Sequence, residues 1–402
     1  MTFEGGTGDV ACDHYHLFRE DVALMVELGL TAYRFSVAWP RVIPDGAGEI
    51  NHRGLDFYDR LVDELLANGI TPYPTLYHWD LPQALQDRGG WYDRPTADAF
   101  ARFTEAVVSR LGDRIQTWIT LNEPWVSAFI GHSEGRHAPG KSDGDKGAVT
   151  AGHNLLRAHG KAMSVIRSLS PGVRAGITLD FSTIYPESFS DEDKAAAEIA
   201  DARKNGWFLE PVVRGRYPEN SGGLLDLLPD GWESDLAEIA APVDFIGVNY
   251  YTRTVVRASD GRPEVVRTEG VPRMDSGWEV FPEGLRVLLI RLGSEYGIPS
   301  IYVTENGAAY GDGPDSTGRI RDERRTQYLE QHLSAVADAI EDGAPVHGYF
   351  VWSLLDNFEW ASAYDNNTRF GVIHVDFETQ KRLPKDSAHW YADLIAAHGG
   401  PS

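Results

Sequence analysis

Short apolar runs rich in β-branched residues alternate along the chain with longer stretches that keep one apolar face. In 12–28, for example, Phe18, Val22 and Met25 recur every three or four positions, which is the period of a helix. The pattern predicts strands at 31–39, 71–77, 117–121, 174–179, 245–249, 301–304 and 346–352. It predicts helices at 12–28, 54–68, 96–111, 148–169, 193–208, 282–296, 322–342 and 387–398.

This alternation is typical of a parallel sheet covered by helices. The chain begins with a loop and a helix, whereas an eight-fold β/α barrel begins with a strand. We therefore predict an α/β protein with a (β/α)8 TIM barrel in which the first strand is absent through N-terminal truncation. A doubly wound open sheet is the alternative, but no Gly-rich phosphate loop follows any predicted strand. No linker or repeat divides the chain, so a single catalytic domain over residues 1–402 is expected.

Two predicted strands end in a glutamate beside an asparagine. The strings are TLNEP at 120–124, which contains Glu123, and VTENG at 303–307, which contains Glu305. A carboxylate at the end of a buried strand loses its hydration at a large cost in free energy. Buried ion pairs would be the structural explanation, and a pair of carboxylates for acid–base and nucleophilic work would be the functional one. Two such strands favour the second explanation, which is the equipment of a glycoside hydrolase.

The other predicted strands also end in polar and aromatic residues. Enzymes with a barrel carry their working residues at these ends, which face one mouth. The set comprises Arg34, His78, Trp79, Asp80, Asn249, Tyr250, Tyr251, Trp352, Asp356, Asn357, Glu359 and Trp360. Amides and carboxylates can hydrogen-bond hydroxyl groups, and indole rings can cover the apolar faces of a pyranose. The set therefore indicates a sugar site.

The charge balance narrows the classes of partner. The chain has 60 Asp and Glu against 37 Lys and Arg, a formal net charge of −23. Nucleic-acid binding depends on Lys and Arg, so a nucleic acid is disfavoured, as is an anionic membrane surface. No run of 18 apolar residues and no signal peptide is visible, which predicts no membrane span and a cytoplasmic location. With one cysteine, Cys12, and no zinc-protease spacing among the histidines, no disulfide and no metal site are expected.

Several longer motifs resemble one enzyme family. They are GDVACDHYH at 8–16, YRFS at 33–36, HWDLP at 78–82, the two glutamate strings and WSLLDNFEW at 352–360. Over nearly its whole length the chain is similar to the β-glucosidases of glycoside hydrolase family 1. The resemblance implies a (β/α)8 barrel that removes terminal β-D-glucosyl residues from β-glucosides or cello-oligosaccharides with retention of configuration. It also implies that no cofactor is needed.

The resemblance further implies roles for individual residues. Glu123 matches the acid/base and Glu305 the nucleophile of a double-displacement mechanism. Arg34 and Tyr251 match residues that orient the nucleophile, with Asn249 just behind them. The remaining matches hold the substrate: His78, Trp79, Asn122, Glu359 and Trp360 around the sugar hydroxyls, Trp352 under the ring, and Trp278 beside the leaving group.

One feature of the family's site has no counterpart in this sequence. The family's first strand ends in a Gln that hydrogen-bonds the sugar, and residues 1–6 contain no Gln. We expect a persistent gap at this strand, reduced activity, and unpaired strand edges that favour self-association. The rival interpretations are a sugar-binding or assembly remnant without catalysis and a 6-phospho-β-glycosidase of the same family. Glu359 would repel a phosphate, which favours neutral sugars.

Overall fold

The computed structural model describes residues 2–398; Met1 and residues 399–402 lie outside the described part. Its strands, in chain order, are β1 Ala32–Ser36, β2 Thr71–Tyr77, β3 Thr117–Asn122, β4 Arg174–Phe181, β5 Ile184–Pro186, β6 Phe245–Tyr250, β7 Thr254–Ser259, β8 Arg262–Val266, β9 Ile301–Asn306, β10 Val346–Val351, β11 Ile373–Val375 and β12 Arg382–Pro384. Seven of them form the main sheet in the order β1-β2-β3-β4-β6-β9-β10. Strands β5, β7 and β8 form one small sheet, and β11 and β12 form another.

All neighbouring strands of the main sheet run parallel. Arg34 of β1 lies opposite Tyr73 of β2, and Asp180 of β4 lies opposite Asn249 of β6. Because parallel strands place their carboxyl ends at the same edge, the polar residues that end them come to one mouth. Each of the seven predicted barrel strands coincides with a strand of this sheet, which is the arrangement that the apolar runs predict.

Helices cover the outside of the main sheet. They are α1 His14–Glu27, α2 Trp39–Val42, α3 His52–Ala67, α4 Gln83–Gln86, α5 Thr96–Leu111, α6 Gly144–Leu169, α7 Asp191–Asp201, α8 Trp207–Arg214, α9 Leu236–Ile239, α10 Pro282–Ser294, α11 Glu323–Glu341 and α12 Asp386–Ala397. The longer helices each bury one face: in α3, Leu55, Tyr58, Leu61 and Leu65 are buried at helical spacing. One large apolar cluster joins these faces to the sheet. Among residues 2–398, every helix is too short or too polar to cross a bilayer.

The main sheet is open at one seam, which lies between β1 and β10. Within residues 2–398, β1 pairs only with β2 and β10 only with β9. Every residue of β3, β6 and β9 is buried, whereas most of β1 and β10 is partly exposed. Residues 3–5 form a 3-10 turn rather than a strand. The unpaired edges agree with the predicted gap, while the truncation and the single domain over residues 1–402 stay predictions.

Two predicted elements differ from the observed ones. The strand predicted at 31–39 ends at Ser36, because the short helix α2 begins at Trp39, with Pro40 in its first turn. The helix predicted at 193–208 consists of α7 and α8 joined by a wide, π-type turn at Ala202–Gly206. The small sheet of β5, β7 and β8 was not predicted, because its short and mostly partly exposed strands carry no strong apolar alternation.

Candidate active site

The two glutamates lie at the carboxyl ends of fully buried strands. Glu123 follows β3 directly, and Glu305 is the second-last residue of β9. Both side chains are buried at the mouth of the barrel. The backbone at Glu123 has φ +46°, a conformation that costs a non-Gly residue free energy, and Trp79 and Trp360 share this feature with φ +80° and +44°. Three of the nine non-Gly residues with positive φ in residues 2–398 thus belong to the site that the sequence predicts.

Glu305 is held by two donors. Arg34 Nη1 donates to Oε1 at 2.6 Å and the Tyr251 hydroxyl donates to Oε2 at 2.7 Å. Burial raises the pKa of Glu305, but the charge of Arg34 and the Tyr251 hydrogen bond oppose that rise. Burial and the nearby carboxylates keep the pKa of the Tyr251 phenol well above its usual value, so it stays a donor. The partners of Glu305 therefore favour its carboxylate form.

Glu123 has a different environment. The Asn249 amide donates to its Oε1 at 2.6 Å, and no Arg contacts its carboxyl group within the described residues. Burial raises the pKa of Glu123 well above its usual range, and the charges of Asp180 and Glu305 raise it further. Two neighbouring carboxyl groups whose pKa values are pushed apart in this way divide the roles of proton donor and anion between them. The environment of Glu123 favours its protonated form more than that of Glu305 does.

A polar network connects the two glutamates. Asn122 Oδ1 accepts from Arg34 Nη2 at 2.5 Å and from Asn249 Nδ2 at 3.1 Å. Asn249 Oδ1 accepts from the Thr304 hydroxyl at 2.8 Å. Asn249, predicted just behind the residues that orient the nucleophile, lies opposite Glu305 in the register of β6 and β9, and its amide also donates to Glu123. The network fixes both carboxyl groups relative to the same two amides.

His78 and Trp79 belong to the same network. The Asn122 amide and His78 Nε2 are 3.1 Å apart, and the Trp79 indole donates to the Asn122 carbonyl at 2.9 Å. Burial, and the charge of Arg34, hold the pKa of His78 well below its usual value. His78 is therefore a neutral ring that can exchange hydrogen bonds with a hydroxyl group.

Aromatic rings form one wall of the mouth. The ring of His78 lies 5.8 Å from that of Trp352 and 5.8 Å from that of Trp360, with interplanar angles of 24° and 21°. The ring centres of Trp79 and Trp360 are 4.8 Å apart. Trp278 is 42% exposed at the rim, where its ring lies 5.3 Å from that of Tyr251. Flat aromatic rings match the apolar faces of a pyranose, and the amides and carboxylates beside them match its hydroxyl groups.

Glu359 lies on the loop that follows β10. Burial, and then the charge of Glu305, raise the pKa of Glu359 to about 8. The loop is anchored by Asp356, which accepts from Arg369 at 2.7 Å, from Lys385 at 3.1 Å and from the Gly371 amide at 3.0 Å. A buried carboxylate with three donors holds the chain rigidly, and this anchor places Glu359 and Trp360 at the mouth.

Two charged residues at the mouth, Asp180 and Lys204, were not predicted from the sequence. Asp180 lies near the end of β4, and the rule that found the other polar strand ends would have found it. Lys204 lies in the wide turn after α7 and carried no signal, because an exposed-looking lysine in a predicted helix is ordinary. The twelve residues to which the resemblance assigns a role lie at the mouth or its rim, whereas the Tyr250 hydroxyl donates to the Phe281 carbonyl beside α10.

Comparisons with known proteins agree with this geometry. The model of glycosyl hydrolase family 1 matches residues 1–400. β-Glucosidase A of Thermotoga maritima is 45% identical over 399 residues, which cover 98% of this chain and 89% of that protein. Thermostable β-glucosidase B of Thermobispora bispora is 48% identical, with 98% and 83% covered. The structure of a β-glucosidase from Thermotoga maritima in complex with glucoimidazole has a TM-score of 0.96 at 44% identity, with 100% and 90% covered.

These findings confirm three of the predictions from the sequence. The recognised family, the (β/α)8-barrel fold and an enzyme of the β-glucosidase kind are each supported by relatives that cover nearly the whole chain. The likeness is far above the level at which only a fold is shared. The chain belongs to glycosyl hydrolase family 1.

Proposed function

We propose that the chain is a retaining β-glucosidase that removes terminal β-D-glucosyl residues from small neutral β-glucosides and cello-oligosaccharides. One observation carries the proposal: two buried glutamates face the same mouth in unequal environments. Arg34 and Tyr251 stabilise the anion of Glu305, while Glu123 contacts no comparable cation within residues 2–398 and its raised pKa favours the protonated form. An anion and an acid on opposite sides of a glycosidic bond are what double displacement needs.

In the first step, a Glu305 oxygen attacks the anomeric carbon while the bond to the leaving oxygen breaks. Glu123 gives its proton to that oxygen, so the aglycone leaves as a neutral alcohol. In the second step, Glu123, now a carboxylate, takes a proton from water. The resulting hydroxide oxygen attacks the anomeric carbon and Glu305 leaves as the carboxylate. Arg34 and Tyr251 hold Glu305 in place in both steps.

The other mouth residues bind the sugar in this proposal. His78, Asn122 and Glu359 offer hydrogen bonds to hydroxyl groups, Trp352 lies under the ring, and Trp278 meets the leaving group. Trp79 and Trp360 close the wall beside His78. A 6-phosphate would meet Glu359, whose negative charge above pH 8 repels it. Above pH 8, glucosides should therefore have a higher kcat/KM than their 6-phosphates, and equal values there would remove this part of the proposal.

The seam favours a second candidate, a sugar-binding protein with impaired catalysis. The unpaired edges of β1 and β10 leave one side of the mouth without a strand, and such edges also favour self-association. If one or two polar contacts to the sugar are lost, transition-state binding weakens by a few kcal/mol. We expect hydrolysis to be slow rather than absent. We also expect residues 1–402 to form a single domain.

One experiment separates the two candidates. The purified chain is incubated with p-nitrophenyl β-D-glucoside, and the first sugar released is followed by proton NMR. A retaining enzyme releases the β-anomer before mutarotation, and an early α-anomer would contradict the mechanism. No release of either anomer, together with sugar binding in calorimetry, would support the binding protein instead.

A further inference from the structure

The wide turn between α7 and α8 places a lysine at the mouth. The turn, Ala202–Gly206, is clamped by Asn205, whose Nδ2 donates to the Ser182 carbonyl at 2.8 Å and whose Oδ1 accepts from the Ser182 amide at 3.2 Å. Asn205 also donates to Asp201 at 2.6 Å. Wide helical turns of this type are frequent at functional sites. The clamp fixes Lys204, the preceding residue, beside the end of β4.

Lys204 makes two contacts there. Its ammonium group forms an ion pair with Asp180 and lies 3.5 Å from the centre of the Trp125 ring. Trp125 is two residues after Glu123, and its ring stacks on that of Phe129 at 5.3 Å. An ammonium held between a carboxylate and an aromatic face is favourable in a partly buried site. The position of Lys204 is therefore set from both sides, on the side of the mouth where Glu123 lies.

Asp180 lies close enough to Glu123 for its charge to raise the pKa of Glu123. It lies opposite Asn249 in the sheet, and the Asn249 amide donates to Glu123 at 2.6 Å. Lys204 contacts one carboxylate oxygen of Asp180, while the other is buried and accepts no hydrogen bond within residues 2–398. Burial raises the pKa of Asp180, and Lys204 opposes the rise. The pair is thus balanced, with one charge of each sign beside the acid/base candidate.

The other ionisable groups around Glu123 are already committed. On β9 and after β6, Glu305 and Tyr251 bind each other. Arg34 on β1 is bound to Glu305, and His78 after β2 is held neutral. Glu359, beyond Glu305, has a pKa of about 8. Among the described residues, Lys204 is therefore the cation whose charge can stabilise a carboxylate that forms on Glu123.

We propose that Asp180 and Lys204 are positioning residues for the acid–base work of Glu123, acting through their opposed charges. The inference rests on the proposed function. When Glu123 gives its proton to the leaving oxygen, it becomes a carboxylate, and the ammonium of Lys204 stabilises that form. Asp180 limits this effect, so that Glu123 keeps its proton before the reaction and regains one from water afterwards.

Single substitutions that remove one charge should move the pH dependence of kcat/KM in opposite directions. Asp180→Asn leaves the ammonium unbalanced and favours the Glu123 carboxylate, so the alkaline limb moves to lower pH. Lys204→Met leaves the Asp180 charge and moves the same limb to higher pH. The double variant restores the balance and returns the limb to the wild-type position. On such a limb activity changes about tenfold per pH unit, so small shifts are measurable.

The matched control is Lys161→Met, which removes a lysine ion-paired with Asp98 at 2.9 Å and Glu238 at 3.1 Å on outer helices. Its limb should not move. The proposal would be overturned if the alkaline limbs of the kcat/KM profiles of Asp180→Asn and Lys204→Met stayed in place or moved in the same direction.

A direct titration makes the test independent of turnover. Protein labelled with 13C at the Glu carboxyl carbon gives a signal for Glu123, assigned by its loss in Glu123→Gln. Its NMR titration should move down in pH in Asp180→Asn and up in Lys204→Met. A wild-type chain without hydrolysis would refute the proposed function while this titration still decides the inference, and an unmoved midpoint would refute the inference alone.

Discussion

The strands that carry the two glutamates and the strands beside the seam differ in what covers them. In β3, β6 and β9 every residue is buried between two paired neighbours. In β1 and β10 one edge is unpaired and most residues are partly exposed. Yet Arg34, which binds the nucleophile candidate, lies on β1, and Trp352 follows β10.

This difference separates two properties of the site. The relative position of Glu123 and Glu305 depends on strands with full support, so the chemistry should survive an open seam. The ion pair of Arg34 and the wall at Trp352 depend on strands with support on one side only. Binding of the sugar and positioning of the nucleophile should therefore be the weaker parts of this enzyme.

The largest effect is expected at the glutamates. Glu305→Ala removes the nucleophile, so hydrolysis should be lost for every leaving group. Glu123→Ala removes the proton donor, which costs about 10²–10⁴-fold for cellobiose and much less for an activated aryl glucoside. Steady-state rates on both substrates measure the difference, with the exposed Glu330→Ala as a control that should change neither. Equal losses on both substrates in the Glu123 variant would contradict the assigned role.

The next effect concerns Arg34. Its side chain is 6% exposed and its partner Glu305 is 4% exposed, so Arg34→Met leaves a buried carboxylate without its cation. Breaking such a pair typically lowers the free energy of unfolding by about 3–5 kcal/mol. The pKa of Glu305 should also rise, which moves the acid limb of kcat/KM to higher pH.

Urea unfolding and a pH profile measure these two consequences. The control is Arg286→Met, which removes surface contacts to Asp342 and Glu283 and should cost no more than about 1 kcal/mol. An Arg34 variant with the stability and pH profile of the control would show that the seam strand does not support the nucleophile.

Part of the fold and of the candidate site could be predicted from the sequence, and part could not. Glu123 and Glu305 could be predicted because the signal for each is local: an apolar strand and the polar residues at its end are contiguous in the sequence. The open seam also followed from local pattern, since no apolar run precedes α1. The position of Lys204 could not be predicted, because only the wide turn and the hydrogen bonds of Asn205 bring it to Asp180. Neither feature has a local sequence signature. The direct contact of Asn249 with Glu123 likewise depends on strand order.

Hydrogen exchange compares the two classes of strand without substitution. Amides of 346–351 and 32–36 that face the seam have no strand partner in the described part of the chain and should exchange faster than those of 117–122 and 301–306. Mass spectrometry of peptides from these ranges measures the rates. Equal protection would mean that another molecule covers the seam, and a dimer in size-exclusion chromatography would identify a second copy as the cover.

The last effect concerns Glu359 on the loop after β10. The pKa of Glu359 is raised from its ordinary value of 4.5 to about 8 in the folded protein. Between these values the folded protein holds a proton that the unfolded chain has released, so this group makes the free energy of unfolding fall as pH rises. Glu359→Gln removes the dependence, and its stability relative to wild type should increase from pH 5 to pH 8. A constant difference in urea unfolding would contradict the raised pKa.

The central claim, that Glu305 is the nucleophile of a retaining reaction, is tested most directly by trapping the glycosyl-enzyme. A 2-deoxy-2-fluoro-β-D-glucoside with an activated leaving group slows the second step more than the first, so the intermediate accumulates. Peptide mass spectrometry should then find one fluoroglucosyl group, attached to the peptide that contains Glu305. A label on the Glu123 peptide, or turnover of ordinary glucosides without any labelled peptide, would contradict the account.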